Sequence, residues 1–465
     1  MERKLMMLRL VSRMGAGMIL PAIATLGLIG CESEDAFIPP APPPDVSQPN
    51  VPTTPEAVTP SPSPSPTPVA APTTQLAAPE NPDPQVNAQV QQMLDTMATK
   101  GYAKASQGVW MQSEDTLLAN HQGTTPLPAA SVTKIATTLA VLDTFGPKHQ
   151  FVTQIGYTGT LQNGVIQGDL VIIGDRDPFF VWEDAIALGN ALTEMGIKQV
   201  TGDLVIVGSF YMNYEDNPKT SGALLRQGLN VQLWPDQAYM QYETLPADTP
   251  QPALSAGGLV RTVTTAPTNI KPLLRYSSLP VAELLKKMNQ YSNNPMAEMF
   301  ARMVGGAGIV AQKSAALAGI PPAEIKLING SGLGEENQMS PRAAIGLFLG
   351  IEKLLQPHQM TVGDVVAIVG QDEGILNSRS LPQFAVVKSG SLYAVSTLAG
   401  ALPTSQKGVI WFAIFNGGSY YEDFRPEQEA FLSQFVSQWG AVSRLPENLK
   451  PSLSPVTGSR IQKVQ

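Results

Sequence analysis

The sequence holds one cysteine, three histidines and few charges, and each scarcity removes a class of protein. A single cysteine, Cys31, excludes a scaffold stapled by internal disulfides. His121, His149 and His358 lie far apart and in no metal-ligand spacing, so the chain implies no metal and no cofactor. A serine–histidine triad would have to conscript one of these isolated residues. Charged residues make up 15%, the formal net charge is −8, and no stretch is basic enough to suggest nucleic acid. What the chain does have is apolar surface. At 43% hydrophobic over 465 residues it can bury cores for two or three domains.

The N-terminus places Arg3, Lys4, Arg9 and Arg13 ahead of an apolar run from Met14 to Gly30. That is the layout of a secretory signal peptide over 1–30. Leu28, Ile29, Gly30 and Cys31 resemble a bacterial lipobox, in which the thiol is acylated and becomes the mature N-terminus. The expected product is an exported lipoprotein on the periplasmic side, anchored to the membrane through Cys31. The other reading of the same run is an uncleaved membrane anchor. Residues 31–84 follow as a tether. Between Pro39 and Pro84 they are dense in proline ("SPSPSPTP"), which favours extended, solvated chain. In the polyproline II limit that stretch reaches on the order of 140 Å.

The body starts near Gln85. "VNAQVQQMLDTMAT" has helical spacing and "QGVWMQSEDTLLANH" reads as a hairpin. An apolar helix follows in "PAASVTKIATTLAVLDTFG", closed by Gly146 and Pro147. From 150 the pattern turns to strands around an Asn163-Gly164 turn. "GDLVIIG" (168–174) and "GDLVIVG" (202–208) are near copies and read as two β-edges of a small inserted α+β domain over 150–268. Within it, Tyr211 to Thr268 has weak periodicity and reads as irregular. Helices resume in 280–308 and again at Ser340-Pro341, an N-cap followed by a first-turn proline. Consecutive buried antiparallel strands with turns between them, in "QFAVVKSGSLYAVSTLAGAL" and "GVIWFAIFNGG", and a last helix complete the body at 446. The tail, 447–465, reads as disordered.

The chemistry begins with Ser131 and Lys134, three positions apart and so on one helical face. Serine needs a neighbour to take its proton, and lysine can do so when burial or a second cation lowers its pKa. S-x-x-K alone is a weak signal, more often met by an ordinary exposed lysine on a packed helix. Two further elements strengthen it. "YSNN" (291–294) supplies Ser292 and Asn294 at a helix-to-helix junction, and "VVKSGS" (386–391) supplies Lys388, Ser389 and Ser391 at the end of an apolar strand. "KTSG" at 219–222 fails the spacing. The three occur in the order of the S-x-x-K, S-D-N and K-T-G set of β-lactamases and penicillin-binding proteins. In these roles Ser131 is the nucleophile, Lys134 its base and Ser292 a proton relay. Asn294 holds the substrate amide. Lys388 disfavours protonation of Lys134 and, with Ser389, binds a terminal carboxylate. The backbone N–H groups of Ser131 and Ser391 form an oxyanion hole.

With these motifs the chain resembles the D-alanyl-D-alanine carboxypeptidase/endopeptidase family, the low-molecular-mass class C penicillin-binding proteins. The likeness covers most of 85–445. "NGSGLGEENQMSPR" (329–342) is similar to the family's D-G-S-G-L…S-P stretch, and "GILNSRS" before "VVKSGSLYAVSTLAG" to its G-T-L…R and K-T-G-S-L…L-A-G. The resemblance implies a serine β-lactamase/transpeptidase-like α/β (α+β) fold. Its catalytic domain, 85–149 and 269–446, would have an antiparallel sheet beside a helical subdomain, with the small insert between. It implies D-Ala-D-Ala carboxypeptidase action on peptidoglycan stem peptides through an acyl-enzyme, with β-lactams acylating the same serine and endopeptidase action as a further outcome. The alternatives are a non-catalytic wall-binding lipoprotein of the same fold and a β-lactamase. Ser389 stands for the usual threonine, Asn329 for an aspartate, and Gly208 where an acidic residue often precedes S-x-F.

Overall fold

Val395–Thr404 is buried at every position, and Gly408–Gly417 is buried over its central seven. Strands this apolar must be covered on both faces. In the computed structural model, which describes residues 74–453 and 459–464, they are the middle of a five-stranded antiparallel sheet. Its order is Val386–Leu392, Val395–Thr404, Gly408–Gly417, Gln107–Ser113, Thr116–His121. The alternation of side chains divides the cover. Ile410, Phe412 and Ile414 pack with Leu398 and Leu402 under the helices Pro84–Thr99 and Tyr421–Trp439. Trp411, Ala413 and Phe415 face the other way, into a helical layer that contains Thr133–Phe145 and Pro341–Leu355. The sheet joins the two ends of the body, and this fixes where the site lies. Its first strand runs along the start of the Thr133–Phe145 helix.

The helical starts obey local chemistry. Ser340 accepts from the Ala343 N–H at 2.9 Å with Pro341 in the first turn. Asn293 accepts from Met296 N at 2.9 Å and begins Asn294–Val304, directly after the Val281–Gln290 helix.

The insert has its own core and a six-stranded sheet. The two near-copies are not edges. Leu170–Asp175 and Leu204–Ser209 are neighbouring inner strands, parallel and paired from Leu170↔Leu204 to Asp175↔Ser209. A crossover helix, Trp182–Glu194, joins them. Parallel strands covered on both faces carry continuous apolar runs, which is why the copies lack alternation. The insert also extends past 268. Val152–Tyr157, where the chain enters, pairs antiparallel with Lys271–Ser277, where it leaves, so the boundary falls after Ser277.

Three further expectations need correction. Tyr211 to Thr268 is not irregular: it holds the helices Pro218–Gly228 and Asp236–Tyr242 and the strand Val260–Val263. The first helix carried a start signal, since Asn217 accepts from Lys219 N and Thr220 N with Pro218 at the first position. The tail is ordered where it is described. Ile461–Lys463 adds an edge strand to Lys271–Ser277, Arg460 pairs with Asp184, and Ser452 N and Leu453 N donate to Asp364. Its polar sequence buries little by itself and is held by partners on the insert and body. The end of the tether is also part of the body. Ala77 is buried, Gln112 Nε2 donates to Gln75 O at 2.8 Å, and Asn120 Nδ2 donates to Pro79 O at 2.8 Å. Extended, proline-rich backbone keeps its carbonyls, and these two side chains satisfy them.

The signal segment, the lipobox with Cys31 and residues 31–73 of the tether lie outside the described residues. Among the described residues no helix is long and apolar enough to cross a membrane.

Candidate active site

Ser131 occupies a 3₁₀ turn, Ala130–Val132, that runs into the Thr133–Phe145 helix. Ala130 is buried with φ 45°, a backbone state costly for a residue with a Cβ. Three contacts over-determine the turn. Thr397 Oγ1, on the central sheet, donates to Ala129 O at 2.9 Å. Gly332 packs so closely that a Cβ there would lie 1.8 Å from Ala130 O. Gly390 lets the first strand approach, since its Cβ would lie 2.7 Å from Ser131 N. Both glycines are required by close approach.

Lys134, one turn on, is fully buried. Its Nζ lies 2.9 Å from Ser131 Oγ, 2.7 Å from Asn294 Oδ1 and 2.7 Å from Ser331 O. Two of these partners can only accept. A neutral amine gives one N–H to each and turns its lone pair toward the third, the Ser131 hydroxyl. Burial holds the Lys134 amine well below the usual lysine range, the charge of Lys388 lowers it further, and Glu298 opposes both.

Asn294 and Ser292 divide between the two lysines. Asn294 takes Lys134, and Ser292 Oγ accepts from Lys388 Nζ at 3.0 Å. Ser292 reaches it from a left-handed backbone, φ 52°, at the junction of the two helices. Lys388 is itself 1% exposed and also donates to Ser389 O at 2.6 Å. Burial pushes its pKa down to about 7.

The strand carrying Lys388, Ser389 and Ser391 is an edge strand. Val387 N donates off that edge to Ala367 O at 3.0 Å. Backbone groups alternate along a strand, so the N–H groups of Ser389 and Ser391 point off the same edge, away from the sheet. The structure thus brings Ser131, Lys134, Ser292, Asn294, Lys388 and the Ser391 backbone into one place. Ser389 contributes its carbonyl to Lys388.

Sequence reasoning missed Glu298. It accepts from Gly330 N at 3.2 Å and Ser331 N at 2.9 Å, fixing the turn whose carbonyl meets Lys134. Its position four residues after Asn294, on the same helical face, was the available signal. Asn329 has its own reason to differ from aspartate. Its oxygen accepts from Gly332 N at 2.8 Å while its amide nitrogen donates to Leu333 O at 2.5 Å, which a carboxylate could not do. Gly208 adopts φ 67°, so an acidic side chain there would be strained. His121 bonds Lys104 O at 3.0 Å and His149 packs between Phe145 and Phe151, both structural placements.

The profile of the D-Ala-D-Ala carboxypeptidase 3 (S13) family matches residues 90–225 and 251–438. The chain is 28% identical over 103 residues to the D-alanyl-D-alanine carboxypeptidase DacB of Haemophilus influenzae. That alignment spans 22% of either chain, about a fifth of the curated relative. Among solved structures, a predatory peptidoglycan endopeptidase of Bdellovibrio bacteriovorus superposes with TM-score 0.63 at 20% identity, over 77% of this chain and 98% of that one. Penicillin binding protein 4 (dacB) of Haemophilus influenzae superposes with TM-score 0.55 at 18% identity, over 75% of this chain and 99% of that one. The two superpositions establish a shared fold.

Proposed function

The chain belongs to the D-Ala-D-Ala carboxypeptidase 3 (S13) family, and from that membership we propose that it is an exported serine hydrolase acting on the D-Ala-D-Ala ends of peptidoglycan stem peptides. The observation that carries the reading is the environment of Lys134: a buried amine with two acceptor-only partners and a serine hydroxyl as the third.

Ser131 Oγ attacks the carbonyl between the two D-alanines as its proton passes to Lys134. The N–H groups of Ser131 and Ser391 take the charge that develops on the carbonyl oxygen. The C–N bond breaks, and Ser292 relays the proton from Lys134 to the departing D-alanine amine. Water then cleaves the acyl-enzyme, with the same lysine as base. Asn294, its oxygen held by Lys134, turns its amide toward the substrate peptide. Lys388 and the Ser389 hydroxyl face the terminal carboxylate. β-Lactams acylate the same serine. A C-terminal carboxypeptidase action outweighs cross-link cleavage, because Gly208 replaces the acidic side chain that would meet a cross-link amine. The N-terminal residues direct export and lipid anchoring at Cys31.

Labelled penicillin tests the core of this reading. It should attach covalently to the wild-type body and not to Ser131→Ala. Equal labelling of both would move the nucleophile elsewhere, and labelling of neither would favour a non-catalytic wall protein. For the anchor, Cys31→Ala should lose lipid modification and leave the membrane fraction. A mutant still firmly bound and normally lipidated would sink the anchor.

A further inference from the structure

Beside Ser391 lies a guanidinium that the catalytic scheme leaves unused. The edge strand ends at Leu392, and the hairpin turns through Tyr393 into Val395–Thr404. The final helix, Tyr421–Trp439, starts against that turn, with Tyr421 N donating to Tyr393 O at 3.2 Å. Arg425 follows one turn later. Its guanidinium carbon lies 4.6 Å from the Tyr421 ring centre, and its Nη2 donates to Ser391 Oγ at 3.3 Å.

The charges around Arg425 do not balance. Its nearest carboxylate, Glu422, is 3.9 Å away and mostly in solvent, so that pair is worth little. Glu429, further along the helix, is committed to Arg379. Lys388 stands on the same strand as Ser391. The Arg425 side chain is only 30% exposed, and its Nε is buried with no hydrogen-bond partner among the described residues. A partly buried cation with an unpaired donor is costly, and an anion arriving at Ser391 relieves that cost.

The reaction proposed above brings such an anion. The residue leaving from the scissile bond carries a carboxylate on the carbon next to the departing nitrogen. With the Ser391 N–H at the reacting carbonyl, the Ser391 side chain lies beside that carboxylate. The planar fork of arginine fits a carboxylate with two parallel bonds, which a lysine cannot reproduce.

We propose that Arg425, together with the Ser391 hydroxyl, joins Lys388 and Ser389 in recognising the C-terminal carboxylate of the leaving residue and strengthens the enzyme's selectivity for free-acid over amidated peptide ends. Tyr421 holds the guanidinium plane in place by stacking. The assignment rests on the functional reading above and adds to it a residue on an element that carries none of the three motifs.

The test compares an N-acylated peptide ending in D-Ala-D-Ala with the same peptide ending in a C-terminal amide, using the purified full-length protein. Wild type should favour the acid. Arg425→Gln should lower kcat/KM for the acid at least tenfold, chiefly through KM, and leave the amide within twofold. Arg425→Lys, which keeps the charge without the fork, should fall between them on the acid alone. Parallel losses on acid and amide in either variant would mean a structural role and overturn the assignment. If Arg425→Gln fails to fold, the Arg425→Lys comparison decides by the same criterion. Wild-type protein that turns over neither peptide and takes up no penicillin would overturn the functional reading and this inference with it. Turnover with unchanged selectivity in the variants would overturn the inference alone.

Discussion

Lys134 Nζ donates to Asn294 Oδ1 at 2.7 Å, a bond that spans 160 residues and the whole inserted domain. It links the Ser131 turn to the helix junction that also presents Ser292 to Lys388. The two lysines therefore sit on either side of one short segment, both buried, and the charge of Lys388 helps to lower the pKa of Lys134.

Acylation should rise with pH as Lys134 loses its proton, then hold into the mildly alkaline range. The positive charge of Lys388 helps to keep Lys134 neutral. Lys388→Ala removes that charge, raises the Lys134 pKa, and should move the ascending limb to higher pH. Acylation rate against pH, measured with a β-lactam amide so that carboxylate binding does not intrude, checks this. An unmoved limb would leave burial as the whole cause.

Stability should carry the same signature. An unfolded chain keeps Lys388 protonated up to its usual value of 10.5, whereas in the folded protein burial brings it to about 7. Between those values the unfolded state binds the extra proton, so stability rises with pH, by up to about 1.4 kcal/mol per pH unit for one such group. Lys388→Met should flatten that slope in urea unfolding at pH 7 to 10. An unchanged slope would place the proton uptake elsewhere.

Glu298 acts on Lys134 in two ways, by its charge and through the Ser331 turn. Glu298→Gln removes a charge that raises the lysine pKa, so the ascending limb should shift to lower pH. The same change loosens the turn, and the plateau rate should drop several-fold. A slower plateau with the limb in place would show that only the turn matters.

Gly390→Ala should nearly abolish penicillin acylation while the protein stays folded. The added methyl would lie 2.3 Å from Thr397 Oγ1 and 2.7 Å from Ser131 N, which pushes the strand away from Ser131. Far-ultraviolet circular dichroism alongside the labelling assay separates this from unfolding. Wild-type labelling would show that the strand can yield without cost to the site.

Removing one partner of the Arg460–Asp184 pair should destabilise the insert. Asp184 is 5% exposed on its side chain, and burial already raises its pKa against the pull of Arg460. Arg460→Met should lower stability by about 3 kcal/mol near neutral pH. The loss should shrink as pH falls and Asp184 takes up a proton. Thermal melts at two pH values measure both effects, and a loss that does not depend on pH would point to the edge strand alone.

Several parts of this protein were decided by local sequence. The both-face-buried strands, the Ser340-Pro341 helix start and the Asn163-Gly164 turn, flanked by Thr160–Gln162 and Val165–Gln167, follow from patterns a few residues long. So does the i, i+3 placement of Ser131 and Lys134. The other motifs were visible as residue types in order. Their grouping into one site was legible only through the order shared with a known motif set; the contacts themselves were not, because a lysine's pKa and a serine's partner depend on atoms far away in the chain. Tertiary structure alone brought Ser331 O to Lys134, set Glu298 beneath that turn and carried Arg425 to Ser391. It also made a strand of Ile461–Lys463, whose polar residues have no local reason to be extended until Lys271–Ser277 offers them an edge. The limit is physical. Periodicity and capping are energies between near neighbours along the chain, whereas burial, charge coupling and edge pairing exist only once the fold brings distant segments together.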